Sequence, residues 1–273
     1  MKKRPSVKEI NELLSRLAPP SLAEEGDPIG LQVGSLQEEV RGILIALDAT
    51  EAGLREAARQ DCNLLITHHP LLFKALRRLD DASPASRCAR LATRMAINVL
   101  SFHTNLDSTV NGLNDQLAKK IGLKALRPLQ ISRDPRHPKA GLGRVGRLSR
   151  PTSLGAFAAR LGLHLQLDHL RYVGNPEHPV REVAVMTGSG GRYFTAAKDA
   201  GADVLVTGDV KYHDALDALA EKIALVDIGH FAGEIGMVAW LTAWLKKALR
   251  RKNWKVKILP SHSGAEPFRL WKK

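Results

Sequence analysis

Two adjacent histidines end the apolar run Asn63-Leu-Leu-Ile-Thr67-His68-His69-Pro70, and imidazole is the commonest side-chain ligand for a transition metal. In a strand, successive side chains point to opposite faces, so neighbouring imidazoles suit two ions better than one. A second apolar run, Ile97–Leu100, leads into His103-Thr-Asn-Leu-Asp107, which brings a ring nitrogen and a carboxylate within four residues. That donor set suits zinc, manganese or iron. Asp107 serves equally as the N-cap of a helix containing Leu113 and Leu117. A third run, Ala224-Leu-Val-Asp227, precedes His230-Phe-Ala-Gly-Glu234. If a helix begins by His230, the i, i+4 spacing puts both side chains on one face, although a first-turn carboxylate is also favoured by the helix dipole. The joint occurrence discriminates, because three strand ends each deliver a candidate ligand set.

Two glycine-rich segments compete for phosphate chemistry. Gly141-Leu-Gly143-Arg-Val-Gly146 matches the dinucleotide fingerprint letter for letter but follows Pro138-Lys139 and runs into Arg147-Leu-Ser-Arg-Pro151, where a helix should open. It reads as a strand over 143–148. Gly188-Ser189-Gly190-Gly191-Arg192 lies between an apolar run and a helix expected from about Tyr193. Its backbone N–H groups and Arg192 can hold a phosphate, and a tight turn explains the glycines as well.

These residues must be positioned by strands and helices that the apolar pattern marks out. Ser6 and Glu9 have capping-box spacing, and Val7, Ile10, Leu13, Leu14 and Leu17 recur at helical intervals before Pro19-Pro20. Short apolar strands at 42–47 and 63–67 flank a helix at about 51–59, and alternation of this kind indicates an α/β fold with a parallel sheet covered on both faces. The arrangement repeats at an offset of 140 residues: Val40, Arg41, Ala57, Leu65 and Thr67 recur as Val180, Arg181, Ala197, Leu205 and Thr207. Both copies of the second strand end at a Thr, followed by His68-His69 in one and Gly208-Asp209 in the other. Ligands in open α/β sheets sit outside the carboxyl ends of the strands. A helix over 154–161, capped by Thr152 or Ser153, and a long helix over 234–250 complete the pattern. The expected partition is an N-terminal lobe at 1–127, a basic strand–helix connection at 128–179 and a C-terminal lobe at 180–273.

The chain has 273 residues, 44% of them hydrophobic, and a net charge of +13. That composition excludes disorder, and no run approaches the roughly 18–20 apolar residues of a membrane helix, so a cytoplasmic protein with no membrane partner is expected. Cys62 and Cys88 form no CxxC pair and read as reduced, buried residues. Positive charge is concentrated in Lys119–Arg150, with ten basic residues against one acid, and in Lys246–Lys257, with seven and none. Both are candidate surfaces for nucleic acid.

Taken in order, Gly30-Leu-Gln-Val-Gly34, Thr67-His-His-Pro70, His103-Thr-Asn-Leu-Asp107, Gly188-Ser-Gly-Gly191, Thr207-Gly-Asp209 and Gly229-His-Phe-x-x-Glu234 closely resemble the NIF-three-like family of dinuclear-metal hexamers, over about residues 5–260. Many of its members are labelled GTP cyclohydrolase type 2 homologs. The resemblance implies a three-layer α/β/α fold with two interlinked, similar lobes, assembled as a toroidal homohexamer. It implies two divalent ions per chain, of zinc, iron, manganese, nickel or cobalt, held by His68, His69, Asp107, His230 and a bridging Glu234. His103 matches an upstream histidine that is a ligand or a near neighbour of the metals. The expected chemistry is metal-assisted hydrolysis of a small molecule such as a nucleotide, with His103 or Asp209 moving protons and Ser189, Gly190, Gly191 and Arg192 as phosphate candidates. The rival expectation is a non-catalytic metal-binding ring that binds nucleic acid or a protein partner.

Overall fold

The computed structural model describes residues 4–271. In chain order the elements are α1 (Val7–Leu17), β1 (Gly30–Val33), β2 (Gly42–Ala46), α2 (Glu51–Arg59), β3 (Leu64–Thr67), α3 (Pro84–Arg94), β4 (Asn98–Ser101), α4 (Thr104–Ser108), α5 (Leu113–Ile121), β5 (Lys124–Ile131), β6 (Gly141–Ser153), α6 (Leu154–Leu165), β7 (Arg171–Val173), β8 (Pro179–Ser189), α7 (Phe194–Asp199), β9 (Val204–Gly208), α8 (Tyr212–Ala220), β10 (Ala224–Asp227), α9 (His230–Glu234), α10 (Gly236–Arg251) and β11 (Lys257–Pro260). The helix starts follow local chemistry. Ser6 and Glu9 form the capping box of α1, and Ser153 caps α6. The helix expected over 234–250 is two helices, α9 and α10.

The chain forms two compact units, Met1–Leu106 with Met237–Lys273, and Asp107–Gly236. This differs from the linear partition at 127 and 179, because strand pairing groups the segments differently. Residues 128–179 are no connector: β6 pairs with both β5 and β8 inside the second unit's sheet. At the C-terminus, β11 returns to pair with β2 of the first unit.

The first unit holds a five-stranded sheet in the order β1-β4-β3-β2-β11. Leu44, Ala46, Leu65 and Val99 face the apolar sides of α2 and α3, while the alternate residues Ile43, Ile45, Leu64, Ile66 and Leu100 are fully buried on the other face. The second unit holds a six-stranded sheet in the order β5-β6-β8-β9-β10-β7. Here Val183, Val185, Val204 and Val206 pack with α5 and α6, and Ala184, Met186, Leu205 and Leu225 pack with residues of α7 and α8. Strands buried on both faces in this way are why these runs are apolar throughout.

The register repeats at the offset seen in the sequence. Ile43 pairs with Leu64 in the first sheet, and Val183 pairs with Val204 in the second. Each series continues into a parallel third strand, β4 or β10, and then an antiparallel edge strand, β1 or β7. The two units share this four-strand topology.

Gly141 and Gly143 lie in β6, where the sheet, not a phosphate, requires them. A Cβ on Gly141 (φ +152) would sit 1.9 Å from the Gln130 carbonyl oxygen. Cys62 and Cys88 are buried and reduced. Burial pushes the Cys62 thiol up to about 11 and raises that of Cys88, so neither is a nucleophile at neutral pH.

Candidate metal centre

In the first unit, β3 and β4 are parallel neighbours, and the residues beyond their carboxyl ends carry His68, His69 and His103. Both His68 and His69 donate their backbone N–H to the single carbonyl of Leu47, at 3.1 and 3.0 Å. That pinch ends the strand alternation, so the two rings lie side by side, tilted by 51° with 5.0 Å between centroids, instead of pointing to opposite sides. His103 closes the group at 5.1 and 5.7 Å from them. One donor atom from each of the three residues lies within 4.8 Å of the other two, a spacing that can hold a metal ion.

The second unit supplies a pair. Gly229 (φ +80) turns the chain sharply after β10, and α9 then places His230 and Glu234 one turn apart. His230 Nε2 lies 3.0 Å from Glu234 Oε2. Two ligands of one ion, each about 2.0–2.2 Å from it, stand roughly 3–3.5 Å apart, so this separation fits a shared metal. Glu234 is buried, and it fits because residue 188 is glycine: a Cβ there would lie 2.6 Å from Glu234 Oε1. Asp107, also buried, belongs to α4 and does not cap α5, whose N-cap is Gly112. It accepts a hydrogen bond from Thr187 Oγ1 at 3.2 Å, while Asn114 links the Asp107 carbonyl to the Thr187 N–H. Asp107 and Glu234 thus meet consecutive residues of β8, Thr187 and Gly188.

All four imidazoles engage an oxygen through Nδ1. His68 Nδ1 lies 3.0 Å from the Phe102 carbonyl oxygen, which can only accept, so Nδ1 carries the proton and Nε2 presents its lone pair. The others meet carboxylates: His69 with Asp48 at 2.7 Å, His103 with Asp27 at 2.8 Å, and His230 with Asp209 at 2.7 Å. Burial pushes the Asp27 carboxyl up, but hydrogen bonds from His103 and Thr104 outweigh it and hold the group below its usual range. An ionised Asp27 gives His103 the same tautomer. A histidine fixed in this way, with an oxygen acceptor on the distal nitrogen, is the usual arrangement of a metal ligand.

Asp27 and Asp48 are functional candidates that the sequence pattern did not mark. Their signal is tertiary, since each meets its histidine across 76 or 21 residues. Asp48→Asn is expected to lower divalent-metal affinity about 10–100-fold with little change in melting temperature. Isothermal titration with Zn²⁺ or Mn²⁺ checks this, and an unchanged affinity would remove the orienting role from Asp48.

Of the phosphate candidates, Gly190 and Gly191 are buried and Ser189 and Arg192 are exposed. Gly190 N–H donates to Thr207 Oγ1, a Cβ on Gly191 would meet the Asp214 carboxylate at 2.8 Å, and Arg192 lies over the Tyr193 ring. Ser189 ends β8. A carboxylate beside Gly191 does not favour an anion there. On the first unit, a cavity of about 540 Å³ adjoins His69 and Asp48, lined also by Thr50, Leu71, Pro84 and Cys88.

Residues 5–267 match the model of the family described as Duf34/NIF3 (NGG1p interacting factor 3). A relative in Clostridium acetobutylicum, named "GTP cyclohydrolase 1 type 2 homolog", is 33% identical over 265 residues, covering 97% of this chain and 98% of its own. Among solved structures, a Bacillus cereus protein related to NIF3 superposes with a TM-score of 0.92 at 27% identity, over 98% of this chain and all of that one. A Staphylococcus aureus protein does so with a TM-score of 0.92 at 30% identity, with the same coverage.

Proposed function

The chain belongs to the Duf34/NIF3 family, and we propose that it is a metal-dependent hydrolase binding two divalent ions per chain and acting on a nucleotide or related phosphate-bearing compound. The observation that carries this reading is the common state of the four imidazoles, each with Nδ1 held by an oxygen, the arrangement that orients a metal-ligating ring and leaves the ligand role to Nε2. The proposed ligands are His68, His69, Asp107, His230 and Glu234. A nitrogen and carboxylate set of this kind suits zinc, iron, manganese, nickel or cobalt. Such ions, when bound, would lower the pKa of water and polarise a substrate oxygen.

The chain's own residues supply orientation and proton transfer. Asp48 and Asp209 lock the rings of His69 and His230. Asp209 is therefore a positioning residue in this reading, since its carboxylate is taken by His230 Nδ1. His103, one-fifth exposed and backed by an ionised Asp27, suits proton transfer or a ligand role. The cavity beside His69 gives a substrate room to approach. The nucleotide preference follows the relatives named "GTP cyclohydrolase 1 type 2 homolog".

Assembly as a toroidal homohexamer in the cytoplasm is part of the proposal. Tyr212, Leu216 and Leu219 form an exposed apolar stripe on α8 of the kind a second copy covers. No helix among the described residues is long and apolar enough to cross a membrane.

Elemental analysis of the purified oligomer tests the proposal. About two ions per chain are expected, falling to below one in His68→Ala/His69→Ala. A protein that carries no metal and takes none up on addition would overturn it.

A further inference from the structure

The two basic segments look alike in the sequence, but the fold treats them differently. In Lys119–Arg150 at least four of the ten cations have an acid or carbonyl partner within the fold. Arg144 is buried on Asp115, Arg136 pairs with Asp134, Arg147 with Glu182, and Arg127 donates to the Ala200 carbonyl. In Lys246–Lys257 no cation has an acid or carbonyl partner among the described residues. Lys246, Lys247, Arg250, Arg251, Lys252, Lys255 and Lys257 are all exposed. Among the described residues none of the seven pairs with a carboxylate, and the chain carries no acid between Glu234 and Glu266. The C-terminal dipole of α10 accounts for cations in its last turn, not for the run that continues through 252–257.

Their place in the first unit is defined by β11. Lys257 pairs with Gly42, the first residue of β2, and the strands run parallel. The cations therefore gather at the amino end of the sheet, whereas His68, His69 and His103 follow its carboxyl ends, about 15 Å away along strands of four or five residues. Near that end, Asp61 pairs with Arg41 at 3.7 Å and Glu39 with Arg4 at 3.2 Å.

We propose that this face binds the phosphodiester backbone of nucleic acid without sequence preference. The pairs Lys246-Lys247 and Arg250-Arg251 repeat at one helical turn, about 6 Å, and the turn residues extend the row, which suits a ligand carrying charge at every nucleotide. A lipid surface is disfavoured: Met237, Val238, Leu241, Leu245 and Leu249 are buried, so α10 has no apolar face to insert. Trp254 lies under Lys252 at 5.5 Å, and one such ring is no stacking platform for a single strand, so backbone contact carries the binding. This inference is independent of the hydrolase reading.

The test is fluorescence anisotropy of the full chain with a labelled 20-base-pair duplex of arbitrary sequence. With about four phosphates contacted, affinity is expected to fall on the order of 100-fold between 50 and 200 mM salt. Lys246→Gln/Lys247→Gln/Arg250→Gln/Arg251→Gln should weaken binding at least 30-fold at 50 mM salt and flatten the salt slope. Lys252→Gln/Lys255→Gln/Lys257→Gln gives a second variant outside the helix should the first not fold. Lys120→Gln/Lys124→Gln/Lys139→Gln/Arg150→Gln, with the same charge loss elsewhere, should change it less than threefold, and His68→Ala/His69→Ala should leave it unchanged. Equal losses in the two quadruple variants would mean that net charge alone binds DNA and would overturn the proposal. So would no duplex binding at 50 mM salt, or tighter binding to vesicles containing 30% phosphatidylserine than to the duplex.

Discussion

Glu234→Gln is expected to lower the hydrolysis rate by on the order of 1,000-fold or more, about 4 kcal/mol of transition-state stabilisation. The reason is local. Glu234 is buried, its Oε2 stands 3.0 Å from His230 Nε2, and its Oε1 lies where a Cβ on residue 188 would come within 2.6 Å. Glutamine keeps the shape but removes the charge and turns one of two oxygen positions into an N–H₂ group, which cannot ligate a cation. Folding should be affected little. The measurement is turnover of a panel of nucleoside triphosphates and p-nitrophenyl phosphates, with metal content and melting temperature determined on the same samples. Wild-type turnover with full metal content would remove Glu234 from the proposed centre.

Arg144→Ala is expected to destabilise the protein by about 3–5 kcal/mol. The guanidinium is 2% exposed. It meets Asp115 at 2.6 Å and donates to the carbonyls of Gly141, Gly143 and Thr109 at 2.6, 2.7 and 2.9 Å. Alanine leaves a buried carboxylate and three carbonyls without their donor, and the cost of such abandoned groups exceeds that of the lost packing. Arg144→Lys keeps the charge but has no planar fork, so it should recover only part of the loss. Because Thr109 lies two residues after Asp107, metal retention should fall along with stability. Urea unfolding reads the effect as a lower midpoint at unchanged slope. A loss below about 1 kcal/mol would show that the buried pair contributes little. Arg144→Met/Asp115→Leu, which removes both charges, should be closer to wild type than Arg144→Ala.

The sequence by itself determined what depends on neighbouring residues. The capping box of α1, the span of α2, the Ser153 cap of α6 and the strands that deliver His68, His103 and His230 all follow from patterns within one or two turns or one strand. The repeat at 140 residues was legible too, because equivalent strands occupy equivalent buried places. What only the tertiary structure decided are the pairings that chain closure creates. Asp27 reaches His103 across 76 residues and Asp48 reaches His69 across 21, and no local spacing marks either carboxylate. The close approach of the His68 and His69 rings depends on the carbonyl of Leu47, just past the end of β2. The basic run at 119–150 turned out to hold a buried ion pair, while the run at 246–257 stayed on the surface. Charge along a chain is a local property, but its neutralisation depends on which acids the fold brings within about 4 Å, and only the packed sheets settle that.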